Sequence, residues 1–459
     1  MKMLLCDVFS FVRRLYLQLK ENNEFVLRVI LFTLVLLVCL GLSACGSAAF
    51  PGLPAGSATP ETSPTATLTA TPESALPTST PGPTTLRLWL PPQFNPGQDN
   101  PASRLLQERL DAFVEQHPGV RIETRIKAQD GPGGLLDSLS AANAAAPLAL
   151  PDLILLPRSH LETAAIKGLL TPFDGLSTAL NDDDWYDYAS QLARLQDSIF
   201  GLPFAGDGQV LLYRPAEIPT PPNDWPSLLD LSSPLIFPAA DAQALFTLQQ
   251  YLAAGGPVQD TEGRPTLDRA ALTRVLGYFA EATAAGIMPF WLTQFSTADQ
   301  AWEAYSGNSG DLIAAPASRY LQELPGDTLA APLPTPDGKP FTLINGWVWA
   351  LSNPRPEHRD LAVALAEFLT EGEFLADWSA TAGYLPPRRS ALSGWPDRSL
   401  RSLVGTIAES AHVLPSADVL AMISPALQQA TIEVLKQESD PETAANQAID
   451  RVQPPDSAP

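Results

Sequence analysis

Cysteine is almost missing from this chain of 459 residues. Its three cysteines, Cys6, Cys39 and Cys45, all fall in the first tenth. The rest of the chain therefore has neither a disulfide framework nor a cysteine-based metal site. Histidine is equally sparse. His117, His160, His358 and His412 lie without metal-ligand spacing and are expected to be surface or cap residues rather than ligands. No metal and no cofactor is expected. Positive charge is also short, with 28 Lys+Arg against 50 Asp+Glu and a formal net charge of −22. Such a surface repels phosphate backbones, so nucleic acid is not an expected partner. There is no G-x-S-x-G elbow and no carboxylate pair singled out by its surroundings, so the residues offer no catalytic group.

What is present is 45% hydrophobic and 17% charged sequence, enough for a sizeable core. The N-terminus reads as an address. Arg28 precedes VILFTLVLLVCLGLSAC, a positive flank followed by an apolar run and small residues. Its end, Leu42-Ser43-Ala44-Cys45-Gly46, resembles the bacterial lipobox, which implies a lipoprotein signal over residues 1–45 whose Cys45 is lipidated and becomes the mature N-terminus. The alternative is an uncleaved membrane anchor extending Val29 to Leu42. Both place the body outside the cytoplasmic membrane. Residues 46–84 are rich in Pro, Thr, Ser and Ala without apolar periodicity. They are expected to form a disordered stalk of roughly 3 Å per residue, on the order of 100 Å extended.

The folded body is expected over 85–459. TLRLWL (85–90) alternates as a strand, and 101–116 places Leu105, Leu106, Leu110, Phe113 and Val114 on one helical face. Val120, Ile122, Thr124 and Ile126 alternate again. A short helix is expected near 135–145, followed by the buried strand PDLILLP. This β-α-β-α-β order predicts an α/β fold with a doubly wound parallel sheet. Ligands bind such sheets beyond the carboxyl ends of the strands, here the loops at 91–95 and 157–159. Further helices are expected at 270–285, 359–371, 373–382, 424–437 and 441–451. Trp378, Trp302 and Tyr305 lie at helical spacings that suit a core. The acids Asp182, Asp183 and Asp184 before Trp185-Tyr186 are ascribed to the dipole of a helix N-terminus.

Separated segments carry a resemblance. In order they are HPGVRIE, PDLILLP with HLETAAIKGLLTPFDGL, IFGLPFAGDGQVLLYRP, NDWPSLLD, APLPTPDGKP with NGWVWALS, FLADWSATAGYLPPRRSAL and DPETAANQAIDRV. Together they resemble the family 1 extracellular solute-binding proteins of ABC importers, the group that includes maltose-binding protein. The resemblance implies a two-lobed, type II periplasmic-binding-protein-like fold with the ligand cleft between the lobes. Lobe one would take about 85–206 and 347–411, and lobe two about 207–346 and 412–452. The crossings would fall near Asp207, near Gly346 and at His412 to Pro415. The function implied is an extracytoplasmic, lipid-anchored, monomeric binding subunit. It would capture a small solute, a sugar or oligosaccharide foremost, and deliver it to ABC permease subunits.

For site residues, the resemblance puts Gly346 and Trp347 at a Gly-Trp whose ring faces the cleft, with core packing as the alternative for Trp347. Trp349 is assigned to the core. Asp207 is either a hydroxyl acceptor or a turn residue between two glycines. Tyr384, in AGYLPP, is expected near the interlobe region. After DLIAAP the chain has Ala317-Ser318-Arg319-Tyr320 where relatives carry a glycine and an aromatic. Ser318 and Arg319 are therefore candidates, and an Arg319 inside the cleft would suit an anionic group. Two other functions share these features: a lipid-anchored surface glycoside hydrolase, and a solute-sensing lipoprotein not coupled to transport.

Overall fold

The computed structural model describes residues 83–352 and 355–453. The expectations for the leader and most of the stalk lie outside the described residues. Among those described, no helix is long and apolar enough to cross a membrane.

The first half begins β1 (Thr84–Leu90), α1 (Pro101–Gln116), β2 (Val120–Ile126), α2 (Leu135–Ala145), β3 (Leu153–Pro157) and α3 (Arg158–Ile166). It continues through α4 (Asp187–Ala193), the small hairpin β4 (Arg194–Leu195) and β5 (Ser198–Ile199), and the long β6 (Leu202–Tyr213). Helix α1 starts where the sequence provides a cap: Asn100 accepts from Ser103 N at 2.8 Å, and Pro101 fills the first position. After β6 come α5 (Trp225–Leu229), β7 (Leu235–Ile236), α6 (Leu245–Ala253), α7 (Arg269–Ala284), α8 (Ala298–Ser306), β8 (Leu312–Pro316), α9 (Ala317–Glu323) and β9 (Leu329–Ala331). The chain returns along β10 (Thr342–Leu351), then forms α10 (Pro356–Phe368), α11 (Gly372–Ala382), α12 (Arg389–Ser393) and α13 (Arg398–Glu409). It ends with β11 (Ala411–Val413), α14 (Ala417–Leu435) and α15 (Pro441–Val452).

Sheet order explains the two lobes. The strands run β2-β1-β3-β10-β6-β8-β7, with β11 beside β10 and β9 beside β6. Strands β1, β2 and β3 are parallel and β10 joins them antiparallel. Strand β6 pairs with β10 through its first half and with β8 and β9 through its second. Strand β6 thus passes from one sheet to the other, with β10 antiparallel beside its first half. Helices α6, α7, α14 and α15 pack on one another and α8 lies against β7 and β8, while α1 packs on β2 and α11, and α10 on β1.

Three expectations are corrected. Helix α14 starts at Ala417, not near 424, and carries Pro425 in its interior. A proline removes one backbone N–H, and this long buried helix absorbs that loss. Asp182 and Asp184 do not serve a helix dipole. They hold Arg388, whose Nη1 lies 3.1 and 3.3 Å from their carboxylates, and its guanidinium lies 3.8 Å from the Trp185 ring centroid. His358 is buried rather than on the surface, with Nδ1 3.0 Å from the buried carboxylate of Asp152.

Candidate ligand cleft

The carboxyl ends of the parallel strands β1, β2 and β3 lie along one edge of the sheet, and that of β3 meets the middle of β10, where Trp347 pairs with Pro157, the last residue of β3. Loops leaving these strands must turn there, so they bring their side chains to one edge. A polar chain of five residues results. Gln93 Nε2 donates to Gln129 Oε1 at 2.9 Å, and Trp347 Nε1 reaches the same oxygen at 3.4 Å. Gln129 Nε2 donates to Asp130 Oδ2 at 3.2 Å, and His160 Nε2 lies 3.0 Å from Asp130 Oδ1. His160 Nδ1 is buried and has no partner among the described residues.

An aromatic cluster backs this edge. The Phe94 ring lies 5.2 Å from Trp347, 5.3 Å from Tyr384 and 5.8 Å from Trp378, and Trp347 meets Tyr384 edge-on at 5.2 Å. A cavity of about 310 Å³ opens beside it, lined by Gln93, Phe94, Asn100, Gln322, Trp378 and Tyr384 among others. That is the low end of the range for small-molecule sites.

Trp347 and Trp349 lie on the same face of β10 by strand alternation. Trp347 stands at the carboxyl edge and is half-buried. Trp349 is two residues deeper, opposite Leu155, and fully buried. The pairing register between β6 and β10 shifts beside Trp347, leaving Phe204 without a partner there. The Phe204 ring packs against Trp349 at 5.4 Å. Depth along one strand, not side-chain direction, separates the two tryptophans.

Gly346 sits in the tightest part of the crossing. A Cβ there would lie 2.4 Å from Leu192 Cδ1 and 2.6 Å from the carbonyl oxygen of Ala205. It permits close strand approach and offers no side chain to a ligand. Tyr384 follows Gly383, which ends α11 at φ 72 and lets α9 come close. A Cβ at Gly383 would lie 2.6 Å from Gln322 Cγ. Gln322 Nε2 donates to the Ala382 carbonyl at 3.1 Å, joining α9 to the end of α11. The Tyr384 hydroxyl, beside Gln322 and the Asp207 charge, is pushed up to about 12, chiefly by burial.

Asp207 lies where β6 passes between the sheets. The residue is half-buried overall, but its carboxylate is enclosed, accepting from Ser318 N at 3.0 Å and Ser318 Oγ at 2.5 Å. Burial raises its pKa to about 6, against the lowering effect of the Ser318 bonds. Asp207 and Ser318 therefore satisfy each other, fastening α9 to β6. Arg319 turns to other partners: it pairs with Asp299 of α8, lies 3.1 Å from Glu323, and sits 5.6 Å from the Trp302 ring centroid. Its charge is matched by two carboxylates. Among the described residues, no group of three or more His, Cys, Asp or Glu could hold a metal.

The structure thus brings Trp347 and Tyr384 together around Phe94, with Asp207 adding its charge beside Tyr384. Sequence reasoning missed Gln93, Gln129, Asp130 and His160. Their signal was positional, since each follows the carboxyl end of a predicted parallel strand. Their residue types alone carry no motif.

No curated protein matches the chain. The fold has many solved counterparts. The cyclic α-maltosyl-1,6-maltose binding protein from Arthrobacter globiformis is 18% identical, with 81% of this chain and 98% of that chain covered and a TM-score of 0.66. The sugar-binding protein MalE from Xanthomonas citri is 18% identical over 80% of this chain and 96% of its own, with a TM-score of 0.68. A solute-binding protein of an ABC transporter from Thermotoga lettingae, bound with α-D-tagatose, is 21% identical over 80% and 98%, with a TM-score of 0.63. At these identities the likeness establishes the two-lobed fold. A family model described as bacterial extracellular solute-binding protein matches residues 108–398, more than half of the chain. The chain belongs to the bacterial extracellular solute-binding protein family.

Proposed function

We propose that this chain is the solute-capturing subunit of an ABC importer and that its ligand is a neutral sugar or oligosaccharide. The observation that carries the ligand class is the Phe94–Trp347–Tyr384 cluster beside the amides of Gln93, Gln129 and Gln322. A sugar presents apolar ring faces and hydroxyls at once, and aromatic faces edged by amides and a carboxylate match both. The pairing of Arg319 with Asp299 and Glu323 argues against an anionic sugar. Its solved counterparts include one named for a maltose-type sugar and one named as a sugar-binding protein, which supports the same class.

In this reading Trp347 and Tyr384 supply ring surface, and Gln93, Gln129 and Asp130 bind hydroxyls. Asp207, Ser318 and Gly346 shape the crossing between lobe one (about 85–206 and 347–411) and lobe two (about 207–346 and 412–452). Residues 1–45 are the lipoprotein signal, Cys45 anchors the monomer to the membrane, and residues 46–84 are the stalk that lifts the lobes toward permease subunits. The test is a thermal-shift panel of mono- and oligosaccharides on the full chain in detergent. One sugar should raise the melting temperature in a saturable way. Stabilisation by polyamines or peptides and by no carbohydrate would overturn the sugar assignment. Turnover of a bound glycoside would overturn the binding role.

A further inference from the structure

A second cavity lies across α3 from the cleft. Its volume is about 400 Å³, and its walls include Arg158, Glu162, Ala165, Phe200, Ser416 and Asp418. Along a helix each residue advances about 100°. His160, which belongs to the polar edge of the cleft, is therefore about 200° around from both Arg158 and Glu162. The cavity uses the opposite face of α3 from the solute site.

Its walls come from both halves of the fold. Helix α3 packs on β3, whereas α14 packs on α6, α7 and α15. One buried side chain joins them: Glu162 Oε1 accepts from Arg158 Nε at 2.8 Å, and Oε2 accepts from Ala417 N at 3.1 Å, at the first turn of α14. Arg158 Nη1 meets the carbonyls of Gln191, Leu192 and Arg194 at 3.0, 2.8 and 2.6 Å. Among the described residues its Nη2 has no partner, so a donor remains free on a side chain only 15% exposed. Apolar surface lies close by, with Phe200 half-buried and Ile166 79% exposed on the same wall.

We propose that this cavity is an effector site for a small neutral amphipathic molecule, and that its occupancy changes the angle between the lobes. The charge balance sets the class. Arg158 is already matched by Glu162, and Asp418 stands at the rim, so a full anion is disfavoured while a carbonyl oxygen suits Nη2. Ring or alkyl surface on the same molecule would cover Phe200 and Ile166. An occupant wedged between α3 and α14 favours the spacing that holds it, so it moves the lobes toward that angle and, by linkage, alters solute affinity. Only that last link rests on the solute-binding reading.

Benzamide, a neutral carbonyl on an apolar ring, is the probe. Binding is read on the full chain by saturation-transfer NMR. Lobe geometry is read by electron–electron distance measurement between nitroxides at Gln107→Cys and Gln300→Cys, with Cys6, Cys39 and Cys45 changed to Ser. Benzamide should bind, and Ala165→Trp, which fills the cavity from α3, should weaken it at least tenfold. Ser416→Trp fills it from the facing wall and decides the matter should the first variant fail to fold. Benzamide and the folded tryptophan variant should shift the interlobe distance in the same direction without any sugar present. No binding, binding indifferent to both tryptophans, or an unmoved distance would each overturn the proposal. A sugar panel that fails while these shifts appear refutes the sugar assignment and leaves the effector site standing.

Discussion

Replacing the two tryptophans of NGWVWALS one at a time separates ligand surface from core. Trp349 is fully buried and packs on Phe204, so Trp349→Ala leaves a cavity that the sheet cannot close. The cost should be about 3–5 kcal/mol. Melting entropy is about 2.1 cal/mol/K per residue, or about 0.8 kcal/mol/K over the roughly 370 described residues. The melting temperature should then fall by about 4–6 °C. Trp347→Ala removes the two edge contacts with Phe94 and Tyr384 and part of a half-buried ring, about 1–3 kcal/mol in all. Its melting temperature should fall by about 1–4 °C. Affinity should divide the other way. Titration with the sugar found in the panel should show at least a tenfold loss for Trp347→Ala, about 1.4 kcal/mol, and less than a threefold loss for Trp349→Ala. Equal affinity losses, or a larger stability loss at Trp347, would refute the argument from depth along β10.

The Asp207 carboxyl should give a pH signature. Folded, it holds its proton to about 6, whereas an unfolded aspartate releases it near 3.9, so protonation favours the folded state. Stability should therefore rise as pH falls from above 6 toward 4, by about 2–3 kcal/mol from this group. Asp207→Asn should remove that slope, and parallel urea-unfolding curves for the two proteins between pH 4.5 and 8 would count against the enclosed carboxylate. Arg319→Ala should leave sugar affinity within twofold and cost about 0–1 kcal/mol, because it breaks only partly exposed pairs with Asp299 and Glu323. A large affinity loss in the same titration would put Arg319 in the cleft. Gln129→Ala, at the junction of Gln93, Trp347 and Asp130, should weaken binding about tenfold with the melting temperature nearly unchanged. A fall in melting temperature without loss of affinity would make the polar chain structural.

Local signals in the sequence marked most of the framework. The alternation of Thr84–Leu90, the cap and proline at the start of Pro101–Gln116, and the apolar run Leu153–Pro157 each specify an element through interactions within a few residues. The order of those elements then restricts the fold to helices around a parallel sheet, with ligands beyond the carboxyl ends of its strands. Where an element's limits depended on distant packing, sequence reasoning failed. Helix α14 runs through Pro425 because its apolar face is buried against α7 and α15.

The site was legible in outline only. Trp347 stood out as an aromatic in a crossing strand, but its difference from Trp349 comes from where β3 ends, which no local pattern states. Asp182, Asp184 and Arg388 are more than 200 positions apart in sequence, and so are Trp347 and Gln129. Pairings over such distances depend on which loops share a sheet edge. Sequence by itself determined most of the elements and their order, because backbone propensity and apolar periodicity act locally, and its ordered segments carried the resemblance to the family. Tertiary structure alone decided which polar groups meet, which charges are neutralised and which tryptophan is reachable, because burial belongs to the packed whole.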